Sequence, residues 1–349
     1  MSLFDNALKG NESLFLDETA LDFEYLPNII KYRENQQKYI ADCIKPLFQG
    51  RNGKNLLITG SPGIGKTAAA KFVLRELEEK GLDEEVTPIY INCWKKDTAH
   101  KIVLEICDKL KYRFIQNKST AELIKEITRL LNKKPVILLL DEADKLQDMQ
   151  ILYFVLEDLY KKTLILITNE LEFLSDLDSR IRSRLMPEIL EFKPYSLEET
   201  DGILKQRIEY GFVKNTFNES ALKLISEKTC QRADIRVGIY LLKESGLIAE
   251  SESSKFILEV HALNAIEKLK DFKVESPEKK KNSILNLIKE NSGKSCFELF
   301  SFYRQLCGKK SYKTFTRKVD AIVDKGLATK KEIQKGTGKS SIIEYNIKA

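Results

Sequence analysis

Residues 60–67 of the chain read GSPGIGKT, a full match to the pattern G-x-x-x-x-G-K-[ST]. The apolar run Asn55–Thr59 directly before it predicts a buried strand, and residues 68–79 directly after it predict a helix. Glycines in such a strand–loop–helix unit let backbone N–H groups turn inward and form a cradle for phosphate oxygens. A glycine-rich turn without a ligand is the alternative, and the flanking elements argue against it.

The loop predicts a nucleotide site with a role for each of its parts. The helix that begins near Lys66 would add the positive end of its dipole to the cradle. The Lys66 ammonium would reach the β- and γ-phosphates, and the Thr67 hydroxyl would hold Mg²⁺. The predicted cofactors are therefore ATP or ADP with Mg²⁺. The nucleotide-binding residues expected in the loop are Gly60, Pro62, Gly63, Ile64, Gly65, Lys66, Thr67 and Ala68.

A second motif, Leu138–Asp144 (LLLDEAD), places adjacent carboxylates at the end of an apolar run. In a phosphate-loop protein, Asp141 would complete the Mg²⁺ site through water, and Glu142 would orient the water that attacks the γ-phosphate. Asn169 follows the next apolar run and would contact the γ-phosphate or that water. A solvated strand end and an ordinary turn asparagine are the alternatives, but the phosphate loop upstream favours the catalytic interpretation.

Three arginines further along the chain are candidates for sensing the nucleotide. Arg180 and Arg184 lie in an arginine-dense stretch before a predicted strand, where one of them could reach a γ-phosphate bound by a neighbouring subunit. Salt bridges on a helix face are the alternative, and the sequence does not separate the two residues. Arg236 lies near the start of a helix predicted at Ala233–Ser251. A helix dipole disfavours a cation there, which supports a ligand role.

Apolar runs that alternate with helical patterns predict an α/β core, a parallel sheet covered on both faces, over residues 1–194. Only helical patterns follow in residues 195–270, and a capping box at Ser196–Glu199 opens the first of them. These residues predict a separate helical domain. The strands predicted for the core are Asn55–Thr59, Pro88–Asn92, Val136–Leu140, Leu164–Thr168 and Glu188–Phe192.

Residues 271–282 are polar and charged, and they predict a linker to a third domain at 283–349. Three helical patterns in this domain precede two extended stretches, and that layout is typical of a winged helix. The helices are expected at Ser283–Glu290, Ser295–Cys307 and Tyr312–Lys325, and the two strands at Ala328–Gln334 and Ser341–Ile347.

The positive charge of the chain is concentrated at its C-terminus. Residues 276–349 contain 17 Lys and Arg against 7 Asp and Glu, whereas residues 1–275 contain 41 against 45. In a winged helix the third helix enters the major groove of double-stranded DNA and the wing touches the minor groove. A solubilising face or a protein-binding winged helix is the alternative. The predicted DNA-binding residues are Lys313, Thr314, Thr316, Arg317 and Lys318 of the third helix, and Lys335 and Lys339 of the wing tip.

Composition argues against several other classes of protein. No apolar stretch in the 349 residues is long enough to span a membrane. The N-terminus lacks a basic segment followed by an apolar one, so no secretion signal is expected. Six scattered cysteines without a CxxC pair predict reduced thiols. We expect a cytoplasmic, chromosome-associated protein.

Together these motifs resemble the AAA+ ATPase superfamily, and in particular its archaeal replication-initiator family, which is related to the eukaryotic origin-recognition and cell-division-control initiators. The resemblance extends from about Tyr25 to Asn346 and implies an AAA+ core, a helical lid and a winged helix. It also implies nucleotide contacts from Tyr32, Arg33 and Tyr195. The stretches most similar to the family are Tyr25–Ile40, Tyr90–Cys93, Ser179–Glu199 and Ala233–Glu250.

The chain departs from the family pattern at three places. Ala233 stands where the family commonly has glycine, and Lys335 and Lys339 stand where the wing usually carries arginines. The family's extra DNA-contacting helix should fall near Trp94–Lys118.

The resemblance implies an ATP-dependent initiator that binds double-stranded origin DNA. Such a protein would self-associate on DNA and help to load the replicative helicase, with ATP binding and slow hydrolysis as a switch. Two alternatives are a clamp-loader-type ATPase and an ATP-regulated transposition or transcription factor. The first would end in a helical collar in place of a winged helix. The second would use the same two modules in another pathway.

Overall fold

The computed structural model describes residues 13–170, 172–271, 284, 287–289, 291–307, 312–324, 328–335 and 338–346. The chain divides at residue 268 into two compact units. The larger unit carries the phosphate loop, and the smaller one carries the basic C-terminal region.

The larger unit is built on a five-stranded parallel sheet with the strand order β2-β3-β4-β1-β5. All five predicted strands are present, with ends that differ from the predicted ones by one or two residues. The parallel sheet of the AAA+ core is thereby confirmed. The strands are β1 (Leu56–Thr59), β2 (Thr87–Asn92), β3 (Val136–Asp141), β4 (Lys162–Ile167) and β5 (Glu188–Glu191).

Helices cover both faces of this sheet because its strands are apolar on both sides. The helices of this part are α1 (Glu34–Ile44), α2 (Lys66–Glu79), α3 (Ala99–Lys109), α4 (Thr120–Leu131), α5 (Gln150–Asp158), α6 (Phe173–Asp176) and α7 (Ser179–Leu185). On one face of the sheet, Leu138 and Leu140 of β3 pack with α3, α4, α5 and α7. On the opposite face, Ile137 and Leu139 pack with α1 and α2. Short 3₁₀ helices occur at Glu18–Leu21, Lys45–Gln49, Leu82–Glu84 and Ala143–Lys145.

A helical lid follows the sheet and consists of α8 (Leu197–Gly211), α9 (Glu219–Arg232), α10 (Ile235–Ser251) and α11 (Glu259–Asp271). The predicted capping box is confirmed, because Ser196 accepts from the Glu199 N–H and Glu199 accepts from the Ser196 N–H. The N-terminal segment of the chain also belongs to this assembly. Leu16 N–H donates to the Gly211 carbonyl, and Lys243 pairs with Glu18.

The predicted start of α10 at Ala233 is wrong by two residues. That helix begins at Ile235 with Asp234 as its N-cap, whereas Ala233 is the C-cap of α9 with φ of 51°. A Cβ atom is strained in this left-handed conformation, which glycine adopts freely. The departure from glycine at this position therefore costs the protein stability.

Ala233→Gly is expected to raise the free energy of unfolding by about 0.5–1 kcal/mol, because removal of Cβ strain outweighs the greater freedom of glycine in the unfolded chain. A urea titration followed by circular dichroism measures the change. Ala121→Gly on the exposed face of α4 is the control. It should destabilise by about 0.5–1 kcal/mol, because that backbone is helical. Equal effects of both changes would show that the left-handed strain at Ala233 is negligible.

The smaller unit contains α12 (Cys296–Cys307), α13 (Tyr312–Asp324) and a three-stranded antiparallel sheet of β6 (Lys294–Ser295), β7 (Ala328–Lys335) and β8 (Gly338–Tyr345). Phe315 and Val319 of α13 are fully buried, and Ile322 and Val323 pack against the same core. The first predicted helix lies mostly outside the described residues. The winged-helix class is confirmed, and the helical collar of a clamp loader is not what these residues form.

The hairpin of this unit differs from the predicted one in two respects. Its strands run closer to the tip than expected, since Lys335 pairs with Gly338 and Gln334 pairs with Lys339. Lys335 and Lys339 therefore lie in strands beside the tip rather than in a long loop. The two-residue strand β6 was not predicted, because so short an element carries no periodicity of its own.

None of the helices in the described part of the chain has the length and apolar character needed to cross a bilayer. The free thiols that the structure records are Cys43, Cys93, Cys107, Cys230 and Cys296.

Candidate nucleotide-binding site

The phosphate loop joins β1 to α2 at the carboxyl edge of the sheet. Gly60, Gly63 and Gly65 have φ of 141°, 74° and 89°, which side chains rarely tolerate. Gly65 is the N-cap of α2, and no side chain caps this helix end. The free N–H groups of the first turn and the helix dipole together form an anion site.

Lys66 folds back over the loop from the first turn of α2. Its ammonium donates to the carbonyl oxygens of Gly60 and Ser61, both at 2.7 Å, and to Asn169 Oδ1 at 2.8 Å. Burial lowers the pKa of Lys66 to about 8. The lysine is thus desolvated and held by neutral acceptors, which phosphate oxygens can replace with a gain in electrostatic energy.

Asp141 ends β3 beside the loop and is almost completely buried. The Thr67 hydroxyl and the Tyr90 hydroxyl both donate to Asp141 Oδ2 at 2.9 Å. A hydroxyl and a carboxylate this close are hard oxygen donors of the kind that Mg²⁺ prefers. The pair Thr67 and Asp141 therefore fits the predicted metal.

Glu142 follows Asp141 and has φ of 53°, a left-handed backbone that turns the chain sharply at the strand end. Burial, together with the charge of Asp141, raises the pKa of Glu142. A carboxylate with a raised pKa is a stronger base towards water, as the predicted role requires.

Asp144 is a functional residue that the sequence reasoning missed. Its Oδ1 accepts from the Thr168 hydroxyl at 3.1 Å and from the Asn169 N–H at 3.4 Å. These bonds tie the end of β4 to the motif after β3 and so position Asn169 beside Lys66. The acidic residue in the motif LLLDEAD was the available signal, but its partner could not be read from the sequence.

The N-terminus of α10 brings the lid to the loop. Ile235 N–H donates to the Gly63 carbonyl at 3.0 Å, and Asp234 packs so closely on Gly63 that any Cβ there would overlap its carboxylate. Arg236 Nε lies 2.9 Å from Asp234 Oδ1, and Nη2 lies 2.6 Å from Oδ2. Arg236 is thereby held on the lid at the point where the lid meets the loop, and it lines the same cavity as the loop residues.

A cavity of about 560 Å³ joins these groups. It also extends along Tyr25 and Leu26 of the N-terminal segment and along Ile239 of the lid. The predicted residues that line it are Pro62, Gly63, Gly65, Lys66, Thr67, Ala68, Asp141, Glu142, Asn169 and Arg236. Gly60 and Ile64 belong to the loop but are not among the lining residues.

The three nucleotide contacts taken from the resemblance lie behind the loop and not in the cavity wall. The buried Arg33 guanidinium donates to the carbonyls of Ile64 and Lys193, and it lies 3.8 Å from the centroid of the Tyr195 ring. The Tyr32 hydroxyl lies against Gly202 of the lid, where a Cβ would be only 2.0 Å away. In this arrangement the three side chains brace the loop and the lid.

Arg180 and Arg184 are exposed on α7 and do not line the cavity. Arg184 forms an ion pair with Glu157 of the same chain. Within the described part of the chain, no ion pair involves Arg180. Within the described part of the chain the two arginines thus differ, because only Arg184 is held by an ion pair to its own chain.

The predicted DNA-binding residues lie in the smaller unit. α13 contains Lys313, Thr314, Thr316, Arg317 and Lys318, of which only the Thr316 side chain lies within the described part; its hydroxyl donates to the Tyr312 carbonyl at 3.2 Å. The extra DNA-contacting helix was expected in another part of the chain, at Trp94–Lys118. That stretch contains α3, whose Ile102 and Ile106 pack in the sheet core, followed by an irregular segment at 110–118.

Two family models match the chain. Residues 50–179 match an AAA domain, and residues 201–267 match the Cdc6 AAA+ ATPase-type lid domain. The first match covers the phosphate loop and strands β1 to β4, and the second covers most of the lid, including Arg236.

Relatives among known proteins match most of the length of the chain. The chain is 30% identical to an ORC1-type DNA replication protein 1 of Archaeoglobus fulgidus, over 88% of this chain and 80% of that protein. It is also 30% identical to an ORC1-type DNA replication protein 1 of Sulfolobus acidocaldarius, over 96% of this chain and 90% of that protein.

Among solved structures, the fold is similar to the Aeropyrum pernix ORC1 protein in complex with DNA, with a TM-score of 0.67 and 23% identity over 95% of this chain and 93% of that one. It is also similar to the Aeropyrum pernix ORC2 protein in its ADPNP-ADP complexes, with a TM-score of 0.68 and 19% identity over 95% and 94% of the two chains.

Proposed function

The chain belongs to the family of ORC1-type DNA replication proteins, and from that premise we propose that it is an ATP-dependent replication initiator. It binds double-stranded DNA at an origin and helps to recruit or load the replicative helicase, with ATP binding and slow hydrolysis as a switch. One observation carries the proposal: Lys66, Asp141, Glu142, Asn169 and Arg236 line a single cavity between the sheet and the lid.

The residues of this cavity can bind ATP and activate water. The loop and Lys66 bind the phosphates, and Thr67 and Asp141 hold Mg²⁺, which neutralises charge on the phosphates when it is bound. Glu142 removes a proton from the attacking water, and Asn169 orients that water. We expect turnover of roughly 10⁻⁴ to 10⁻² s⁻¹, the range of switch-type NTPases without an activating partner.

The lid and α7 make the switch. Arg236 senses the nucleotide, and because α10 contacts Gly63 directly, any change in the loop moves the lid. Arg180 of one copy would reach the nucleotide of a second copy assembled beside it on DNA. The nucleotide thereby controls self-association, and the assembled protein presents the surface to which the helicase binds.

Double-stranded DNA is the proposed partner of the smaller unit. We expect the variant R317A/K318A to bind duplex DNA about tenfold or more weakly than the unaltered protein, because each lost phosphate contact removes about one counterion from the binding equilibrium. The slope of log affinity against log salt should fall by about 2. Fluorescence anisotropy of a labelled duplex across a salt series measures both quantities.

The matched control is K223A/K228A, which removes two positive charges from α9 of the lid. It should leave the salt slope unchanged. If the control lowers the slope as much as R317A/K318A does, the contacts are unspecific. If neither variant changes it, the winged helix binds something other than DNA, and the initiator proposal fails.

A further inference from the structure

Tyr90 of β2 contacts one member of the pair of residues proposed to hold Mg²⁺. Its strand runs parallel to β3, and Asn92, two residues after it, is the register partner of Asp141. The Tyr90 ring packs with the core that α1 and α2 cover, and its hydroxyl donates to Asp141 Oδ2 at 2.9 Å. The side chain also lines the nucleotide cavity. Tyr90 is thus placed to act on the metal site through Asp141.

The Asp141 carboxylate is buried and is held by neutral donors. Its Oδ2 accepts from the hydroxyls of Thr67 and Tyr90, and its Oδ1 accepts from the Glu142 N–H at 3.0 Å. Burial of a carboxylate is costly unless hydrogen-bond donors satisfy it. With donors on both oxygens, the plane of the carboxylate is fixed.

The two hydroxyls on Asp141 Oδ2 differ in what Mg²⁺ asks of them. Thr67 is itself a proposed ligand, so its hydroxyl must serve the metal as well as Asp141. A neutral phenol is not among the ligands that Mg²⁺ usually takes. Burial and the charge of Asp141 raise the pKa of Tyr90, so its hydroxyl stays protonated at neutral pH and remains a donor. Tyr90 can therefore hold Oδ2 both before and after the metal binds.

The Tyr90 ring is itself held by the helix that carries Thr67. Lys71 lies one turn after Thr67 on α2, and its Nζ lies 4.4 Å from the centroid of the Tyr90 ring. A cation over an aromatic face attracts it, and the packing of the ring against the core adds to this contact. One helix therefore supplies Thr67 and also fixes the ring whose hydroxyl orients Asp141.

We propose that Tyr90 is a positioning residue of the Mg²⁺ site, whose hydroxyl holds Asp141 Oδ2 in the orientation that the binding of Mg²⁺ with ATP requires. This rests on the proposed function, which places Mg²⁺ and ATP in the cavity. Because the carboxylate is oriented before the metal arrives, little of it has to be ordered on binding. A hydroxyl that only satisfied a buried carboxylate would stabilise the fold without affecting the metal.

The variant Tyr90→Phe tests the proposal, because it keeps the ring and its packing and removes the hydroxyl. Calorimetry measures the dissociation constant of ATP in EDTA and in saturating Mg²⁺, and the ratio of the two is the Mg²⁺ enhancement. The enhancement should be about tenfold smaller in Tyr90→Phe than in the unaltered protein, the usual effect of one hydrogen bond to a charged group. ATP affinity in EDTA should stay the same, which also shows that the variant is folded.

Tyr39→Phe is the matched control, because the Tyr39 hydroxyl donates to Glu188 Oε2 at 3.0 Å and the residue does not line the cavity. It should keep the full enhancement. A double-mutant cycle with Asp141→Asn tests whether the hydroxyl acts through the carboxylate. Asp141→Asn should itself lower the enhancement, and Tyr90→Phe added to it should lower the enhancement no further.

The proposal is overturned if Tyr90→Phe keeps the full enhancement, or if it weakens ATP equally in EDTA and in Mg²⁺. A further loss when Tyr90→Phe is added to Asp141→Asn also overturns it, because the hydroxyl would then act independently of Asp141. The proposed function survives each of these results, provided that the unaltered protein binds ATP more tightly in Mg²⁺. If the unaltered protein does not bind ATP, or binds it without help from Mg²⁺, the proposed function fails and this inference fails with it.

Discussion

Lys66→Ala is expected to weaken ATP binding at least about a hundredfold, because it removes a charged donor that makes several hydrogen bonds to phosphate oxygens. In the structure the ammonium is buried, and its three hydrogen bonds go to Gly60, Ser61 and Asn169. All three acceptors are neutral, and the charge of nearby Asp141 only partly offsets the burial of the ammonium, so its pKa is lowered to about 8. Calorimetry with ATP and Mg²⁺ measures the change.

Lys80→Ala is the control for this prediction. Lys80 is the C-cap of the same helix, where its ammonium pairs with Glu76 at the surface. Exposed pairs of this kind contribute little, so ATP affinity should stay the same. Unchanged ATP affinity in Lys66→Ala would contradict the assignment of residues 60–67 as a phosphate loop.

Continuous sequence patterns predicted the fold well. β1, β3 and β4 each contain an uninterrupted apolar run, and β3 is buried along its whole length, as its sequence VILLL indicates. Local chemistry also located helix starts, as at Ser196, where both hydrogen bonds of the capping box are contained in four residues. The start of α10 at Ile235 was misplaced by two residues, because Ala233 takes a left-handed conformation that its sequence does not indicate.

The candidate site was predicted most directly where its residues belong to one motif. Lys66, Thr67, Asp141 and Glu142 each stand at a defined place in a contiguous pattern. Tyr90 and Asp144 were missed because their places in the site depend on partners elsewhere, Asp141 for Tyr90 and the Asn169 N–H for Asp144. Such pairings arise from the folding of the chain and leave no local signature.

The polar contacts across the cavity fall into two groups. Lys66 donates to the Asn169 side chain, whose backbone N–H donates to Asp144, while Thr67 and Tyr90 donate to Asp141. Phosphate and Mg²⁺ would compete for Lys66, Thr67 and Asp141. We expect their binding to free the Asn169 side chain from Lys66.

Glu142→Gln is expected to preserve ATP binding and to lower the hydrolysis rate about 10²- to 10⁴-fold, the usual contribution of a general base. The amide keeps the shape of the side chain but cannot accept a proton from water. Burial and the Asp141 charge raise the pKa of Glu142, which makes the carboxylate a better base than an exposed one. Single-turnover hydrolysis of bound, labelled ATP measures the rate separately from binding and product release.

Glu170→Gln provides the matched control, because it makes the same chemical change at an exposed residue that directly follows Asn169. Its hydrolysis rate should equal that of the unaltered protein. Normal hydrolysis by Glu142→Gln would remove the general-base role from this residue. Loss of ATP binding in the same variant would instead mean that Glu142 acts in holding the nucleotide, since a charge-neutral replacement next to Asp141 should, if anything, reduce repulsion of the phosphates.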